Sequence, residues 1–313
     1  MDAVSTSGFA GGSWQDRARR AAVGIRRRVL EYTLKNNGGY LSQACSSAEM
    51  LAALYTGIMR LGPSQGPSTP EPFGGVPGPR NPRASSGGIY NGPKAPELDR
   101  FVFSPVHYAL VLYSALIEVG RLAPEALGRF NVDGSTMELI GAEHSPGHEL
   151  TAGSLGQAIS VAGGIALARK LRGEPGRVWV FMSDGEFQEG QVWEAVAALS
   201  YHRIDGLGVY VDVNGQCCDG EMGAVMNVEP LSERLAAFGA EVHEVDGHDV
   251  DALAAPAALP RCGKPLVVLA KTDPCRGLRL LNARRPKLHY VRFRSDDERR
   301  AYEEALAGLG EES

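Results

Sequence analysis

Asp184 and Asn214 are the side chains from which a chemical reading of this sequence can start. Asp184 lies in Ser183-Asp-Gly-Glu-Phe-Gln-Glu-Gly190, just past an apolar run. Asn214 lies thirty residues later in Val211-Asp-Val-Asn-Gly-Gln216, just past the next such run. A carboxylate, an amide oxygen and a free backbone carbonyl are hard oxygen ligands of the kind that Mg2+ or Ca2+ prefers. Such an ion keeps positions for water or phosphate oxygens, and can hold a diphosphate without a cage of protein charge. Gly185 has no side chain and lets the backbone come close to a ligand.

The two apolar runs, Val178–Met182 and Leu207–Val211, read as buried parallel strands. Glu241–Val245 and Leu266–Ala270 are two more, with helices expected at Gln191–Tyr201, Leu231–Phe238 and Val250–Ala258. Strands alternating with helices predict an α/β fold, a parallel central sheet with helices on both faces. Ligands bind beyond the carboxyl ends of the strands in such sheets, so Asp184 and Asn214 are expected to converge.

Upstream, Ala18, Ala22, Ile25, Val29 and Tyr32 fall near one face of a helix over Trp14–Leu34, with Arg17, Arg20, Arg27 and Arg28 largely outside. Asn36-Asn37-Gly38-Gly39 stops it, because these residues tolerate the left-handed conformation. A second helix is expected over Ser47–Arg60, capped by Ser46 or Ser47 with Glu49 in its first turn. A short strand at Arg100–Ser104 and a helix at Tyr108–Gly120 follow. Residues 62–96 hold nine of the nineteen prolines, with repeated Gly and Ser, and read as a mobile insertion. Gly163-Gly164 interrupt a helix over Gln157–Leu171 at about 1 kcal/mol each against alanine, which predicts close helix packing. The expected organisation is a flexible leader at 1–13, one domain over 14–293 and a charged helix and tail at 294–313.

Bulk properties narrow the function classes. The chain has 313 residues, 43% hydrophobic and 22% charged, with a net charge of −5. That is an ordinary globular balance. Lys and Arg form no basic stripe, which argues against nucleic acid. No apolar run approaches the roughly 18–20 residues of a membrane helix, and Met1–Trp14 lacks the basic head and apolar core of a signal peptide. Five cysteines without a CxxC spacing read as free thiols, Cys217 and Cys218 as small buried apolar groups, in a reducing cytoplasm. His202, His243 and His248 read as surface or loop residues.

Further blocks extend the pattern around Asp184. They are Ala48-Glu-Met-Leu-Ala-Ala-Leu-Tyr55, Ser104–Tyr113 with His107, and Thr151-Ala-Gly-Ser-Leu-Gly-Gln157. Glu189-Gly-Gln-Val-Trp-Glu-Ala195, Asp212-Val-Asn-Gly-Gln216, Asp246-Gly-His-Asp249, Ala270-Lys-Thr272 and a closing Gly277…His289 follow. In this order, from about Arg17 to Phe293, the chain resembles the thiamine diphosphate (ThDP)-dependent transketolase family, in its N-terminal, diphosphate-binding domain. The resemblance implies that Asp184 and Asn214 bind the metal by side chain and Gln216 through its backbone carbonyl. His107, His289 and the Gly153-Ser154-Leu155-Gly156 loop would contact the cofactor, together with the Asp184-Gly185-Glu186 turn. Glu189 matches a glutamate that couples paired active sites across a subunit interface, and with His107 and His289 forms the implied catalytic set.

The resemblance also implies a second, pyrimidine-binding domain that supplies the cofactor-activating glutamate. After Phe293 this sequence offers only a charged helix, Ser295–Leu309, so a C-terminal transketolase-like partner subunit is expected, in an α2β2 assembly. On the substrate side the sequence departs from the family. Tyr40 stands where the family has one substrate histidine and Ile140 where it has a second. Tyr40, His144 and His148 are the candidates to replace them. Ser183 stands for the usual Gly, a mild change, and the Lys-Gly-Lys-Gly-like turn reads Pro274-Cys-Arg-Gly277. The expected activity is therefore two-carbon transfer to a specialised acceptor, such as an acyl carrier protein thiol or a lipoyl group in a biosynthetic pathway. An ordinary split transketolase acting on ketose and aldose phosphates is the alternative. A non-catalytic diphosphate- or nucleotide-binding module or a structural scaffold would be a different class, although no GxGxxG or P-loop pattern is present.

Overall fold

The computed structural model describes residues 12–309 apart from Arg83, so the expected leader lies almost wholly outside the described residues. Ser13 caps the first helix in a reciprocal capping box with Asp16. In chain order the helices are α1 (Trp14–Asn36), α2 (Leu41–Ala53), α3 (Ala109–Glu118), α4 (Ala158–Leu171), α5 (Gly190–Tyr201), α6 (Met222–Val225), α7 (Leu231–Ala237), α8 (Val250–Ala254) and α9 (Asp296–Gly308). The strands are β1 (Arg100–Phe103), β2 (Val178–Ser183), β3 (Leu207–Val213), β4 (Gln216–Cys217), β5 (Gly220–Glu221), β6 (Glu241–Asp246) and β7 (Leu266–Lys271).

Five strands form one parallel sheet in the order β1-β2-β3-β7-β6, and β4-β5 is a small antiparallel hairpin. Every residue of β2 and β3 is buried, as a strand covered on both faces requires. Alternate residues feed two separate cores. Phe101, Phe103, Trp179, Phe181, Tyr210 and Val268 pack with α1, α2 and α3. Val102, Val178, Val180, Met182, Val209 and Val267 pack with α4, α5 and α7. The expected α/β architecture is the one observed.

Three local expectations are corrected. The second helix begins at Leu41, six residues early, and all thirteen of its residues are buried. Ser46 and Ser47 therefore cap nothing. They sit mid-helix, where Ser47 Oγ donates to the Gln43 carbonyl at 2.6 Å and Ser46 Oγ to Asp212 at 2.6 Å. Five buried polar residues on this helix broke the apolar rhythm that sequence reading follows. The helix expected through Ala258 stops at Ala254 and passes into a 3-10 turn at Pro256–Ala258, because proline has no N–H to continue the ladder. Arg28, expected outside, is half-buried against Glu118.

The Pro/Gly-rich segment was expected to be mobile, yet it is stitched to the domain by hydrogen bonds. Arg121 donates to the carbonyls of Tyr90 (2.7 Å) and Gly62 (3.0 Å), and Arg129 to Pro70 (3.0 Å). A 3-10 turn at Gly87–Asn91 is almost wholly buried. Gly87 N–H donates to Glu143 O at 2.7 Å, and its own carbonyl accepts from Gly147 N–H at 2.9 Å. Backbone groups thus replace the apolar burial that the composition lacks.

Candidate active site

β2 and β3 are hydrogen-bonded neighbours with Ser183 opposite Asp212, so the residues that follow each strand emerge side by side. Asp184 is 2% exposed. Its Oδ2 accepts from Gly215 N–H at 2.8 Å, whereas its Oδ1 is buried without a partner. Burial pushes the carboxyl up to about 8, the nearby Asp212 carboxylate adds to this, and the Gly215 and Gly185 N–H groups oppose it. Asn214 holds its Oδ1 on Gln216 N–H at 2.9 Å. The side-chain Oε1 of Gln216 is a second buried oxygen without a partner. Two unpaired, buried oxygens next to an Asn amide oxygen fit a hard divalent cation. A side chain at Gly185 would meet no protein atom within 4 Å, so protein packing does not demand that glycine. Among the described residues no group of three His, Cys, Asp or Glu side chains could hold a metal, so an ion here would need amide or carbonyl oxygens beside the Asp184 carboxylate.

Asp212 organises this corner, and the sequence reading gave it no role. It is fully buried at the end of β3 and accepts from Ser46 (2.6 Å), Thr272 (2.6 Å), Asn214 Nδ2 (2.9 Å) and Tyr108 (3.4 Å). Burial raises its carboxyl and these donors pull it back. The signal was present: a lone carboxylate inside an apolar strand must be paired.

Glu186 was expected among the cofactor contacts. The structure turns it inward instead, fully buried and committed to three partners: Ser104, Ser183 N–H at 3.0 Å and Gly156 N–H at 3.1 Å. It ties the ends of β1 and β2 to the Gly153–Gly156 loop, and so positions the loop. Ser183 and Glu186 cap each other across the short turn Asp184–Gln188, which gives Ser183 a structural use. Gly153 and Gly156 have φ of +130° and +80°, conformations that L side chains rarely adopt. A Cβ on Gly153 would lie 3.4 Å from Val106, which places the loop beside His107.

Tyr40, His107, His289 and Tyr290 form one ring cluster on the other side. The Tyr40 ring centroid is 5.4 Å from each histidine and 5.0 Å from Tyr290, edge-on to all three, and the two histidines are 5.1 Å apart. Burial drives His107 down to about 3, helped by His289, so its imidazole is neutral. His289 is lowered as well, by burial first, with Asp219 opposing. Tyr40 thus packs against both candidate cofactor histidines, and Ile140, 45% exposed, carries no polar group.

His148 is not part of this cluster. It is 1% exposed, packed edge-on against Phe103 with Nδ1 near Pro146 O at 3.2 Å, and belongs to the core. His144 is held by Glu138 (3.2 Å) and the Phe73 ring (4.5 Å). The apolar surroundings of both histidines come from elements distant in sequence, which their local context did not show. Glu189 is exposed at the start of α5, with Gly156 packed on its side chain. His248, expected at the surface, instead accepts from Asp273 N–H at 2.8 Å and meets Glu49 at 3.1 Å, where Glu49 pairs with buried Arg26. All five cysteines are free, but Cys218 is exposed where burial was expected.

A family profile described as the thiamine diphosphate-binding domain of transketolase matches residues 89–273, more than half of the chain. This chain belongs to the transketolase family. A transketolase-family protein of Sinorhizobium fredii is 33% identical to it over 90% of both chains. The 6-deoxy-6-sulfo-D-fructose transketolase subunit of a Clostridium species is 32% identical over 81% of this chain and 83% of its own. One of the subunits of the apulose-4-phosphate transketolase of Actinobacillus succinogenes is 28% identical over 92% of this chain and 96% of its own. The transketolase of Leishmania mexicana shares the fold, with a TM-score of 0.66 at 22% identity over 94% of this chain and 45% of that one. Relatives named as transketolase subunits thus align with 81% and 92% of this chain, and the ThDP-binding domain profile with residues 89–273. No helix among the described residues is long and apolar enough to cross a membrane.

Proposed function

We propose that this chain is the diphosphate- and metal-binding subunit of a ThDP- and Mg2+-dependent two-carbon transferase, active with a companion subunit that carries the pyrimidine-binding domain. The observation that carries the reading is the unpaired, buried Oδ1 of Asp184, whose other oxygen accepts from Gly215 N–H, between Asn214 and Gln216. Such an atom costs about 1–3 kcal/mol unless a partner arrives. Asp184, Asn214 and an oxygen of Gln216 would hold the cation, and His107, His289 and residues 153–156 the diphosphate. When bound, ThDP supplies a carbanion that attacks a carbonyl and a ring that takes up the electrons of the broken C–C bond. The chain's own residues hold and enclose. Glu186 fixes the loop, Asp212 fixes Asn214, and the Tyr40 ring shields the two neutral imidazoles from water. Glu189 stands at the interface that couples two sites in an α2β2 assembly in the cytoplasm.

Calorimetry with ThDP, with and without Mg2+, tests the core of this reading. Binding should require the metal and weaken more than about 100-fold in Asp184→Ala. Metal-independent nucleotide binding would instead identify a non-catalytic module.

Tyr40 and Ile140 cannot make the hydrogen bonds of two histidines, which a site built for sugar hydroxyls needs. The substrates therefore lie away from ordinary pentose phosphates, and we place at the acceptor end of a biosynthetic reaction a lipoyl disulfide, whose S–S bond opens to take up two electrons and whose acyl thioester can then pass to a carrier-protein thiol. A second reading, transfer between sugars, is favoured by the two relatives named as sugar transketolase subunits. Both subunits with ThDP, Mg2+, xylulose 5-phosphate and ribose 5-phosphate decide between them, since normal turnover would remove the altered-substrate reading.

A further inference from the structure

Gln43 lies on the first turn of α2, 3% exposed, beneath the ring cluster. Its side-chain nitrogen is 3.0 Å from the backbone carbonyl of His289 and 3.2 Å from Nδ1 of the same residue. A carbonyl oxygen only accepts, so the amide atom beside it is the NH2 group. The opposite atom, Oε1, lies 3.0 Å from Ser42 Oγ, whose single proton is shared with the Leu288 carbonyl at 2.9 Å, so the orientation rests on the His289 carbonyl. An NH2 group has two hydrogens, one for the carbonyl and one for Nδ1. Nδ1 therefore presents a lone pair, and the proton of the neutral imidazole sits on Nε2.

We propose that Gln43 is a positioning residue that locks His289 as the Nε2–H tautomer, so that His289 enters the site as a hydrogen-bond donor and not as a base. Charging the ring would place a second N–H directly against the amide N–H, two donors facing each other. The ionisable groups around the ring are His107, Tyr40 and Asp219. Asp219 alone favours the cation, and burial outweighs it. A donor that resists taking up a proton suits an anionic oxygen of a diphosphate or substrate. What the donor meets rests on the proposed function; the tautomer does not.

The test is 15N-histidine NMR on the full chain, which has seven histidines, with His289→Asn to assign the resonance. Wild type at neutral pH should show Nε2 protonated and Nδ1 bare, and the ring should stay neutral below its ordinary range. Gln43→Glu replaces the donor by an acceptor. It should move the proton to Nδ1, raise the titration of the ring and lower turnover with the companion subunit by about tenfold or more. A wild-type ring protonated on Nδ1, or a tautomer unchanged in Gln43→Glu, would overturn the proposal. If that variant does not fold, the wild-type spectrum decides alone. Loss of ThDP binding would sink the functional reading and leave the tautomer intact, while the wrong tautomer would do the reverse.

Discussion

His148 is buried with Nε2 touching no polar partner, and burial takes its pKa down to about 4. An imidazole in the unfolded chain titrates near 6.5, so between the two values the unfolded state binds more protons and stability rises with pH. The contribution is complete above about 6.5 and is lost as pH falls through 4, a loss of about 3 kcal/mol. Urea unfolding at pH 7 and pH 4 should show that loss in wild type and a smaller one in His148→Leu, which has no proton to take up. An equal loss in both would mean that other groups control acid unfolding. Asp184 is buried to a similar degree, and its unpaired oxygen is the one that the proposed cation would take. At this scale a polar group left unpaired among apolar rings is core.

Helices α4 and α5 separate two glycines that the sequence could not tell apart. A Cβ on Gly163 would lie 2.8 Å from Leu199 Cδ2, whereas one on Gly164 would meet nothing within 4 Å. Gly163 lets the helices close together, and Gly164 serves no packing purpose within this chain. Gly163→Val should therefore cost about 1–3 kcal/mol by overpacking. Gly164→Ala should gain up to about 1 kcal/mol from helix propensity. Chemical denaturation of the two variants checks the pair, and similar losses in both would show that Gly164 is also constrained. The same helices place Glu189 and Gly156 side by side, so their spacing bears on the Gly153–Gly156 loop as well as on stability.

Across the whole molecule, residues 62–96 act as a clasp on the segment that precedes the Gly153–Gly156 loop. A Cβ on Gly87 would fall 1.7 Å from the carbonyl oxygen of Ser145, a backbone atom that cannot turn aside. Gly87→Ala should therefore lift the segment, cost about 2–3 kcal/mol and open it to proteases. Limited proteolysis with mass spectrometry reads this directly. Cleavage unchanged between 62 and 96 would show that the clasp is held elsewhere, for example by Arg121. A second tie crosses the opposite side of the molecule, where the buried Arg26–Glu49 pair meets His248 and joins α1 and α2 to the loop after β6.

The strands, their alternation with helices and the meeting of the segments at Asp184 and Asn214 were legible in the sequence, because a parallel strand buried on both faces is a continuous apolar run and the polar residues follow it at once. The stop at Asn37, which adopts φ of 51°, was legible for a similar local reason. Tertiary structure alone decided which polar residues are spent on the protein and which keep an unpaired atom. Glu186 and His148 turned inward, while Asp212, Gln43 and His248 proved to be organisers. Each of these assignments depends on a partner 30 or more residues away, as Glu186 with Gly156, Asp212 with Ser46 and Gln43 with His289 show. A side chain's type fixes what it can donate or accept, but burial and the identity of its partner fix what it does, and both arise only when distant segments meet.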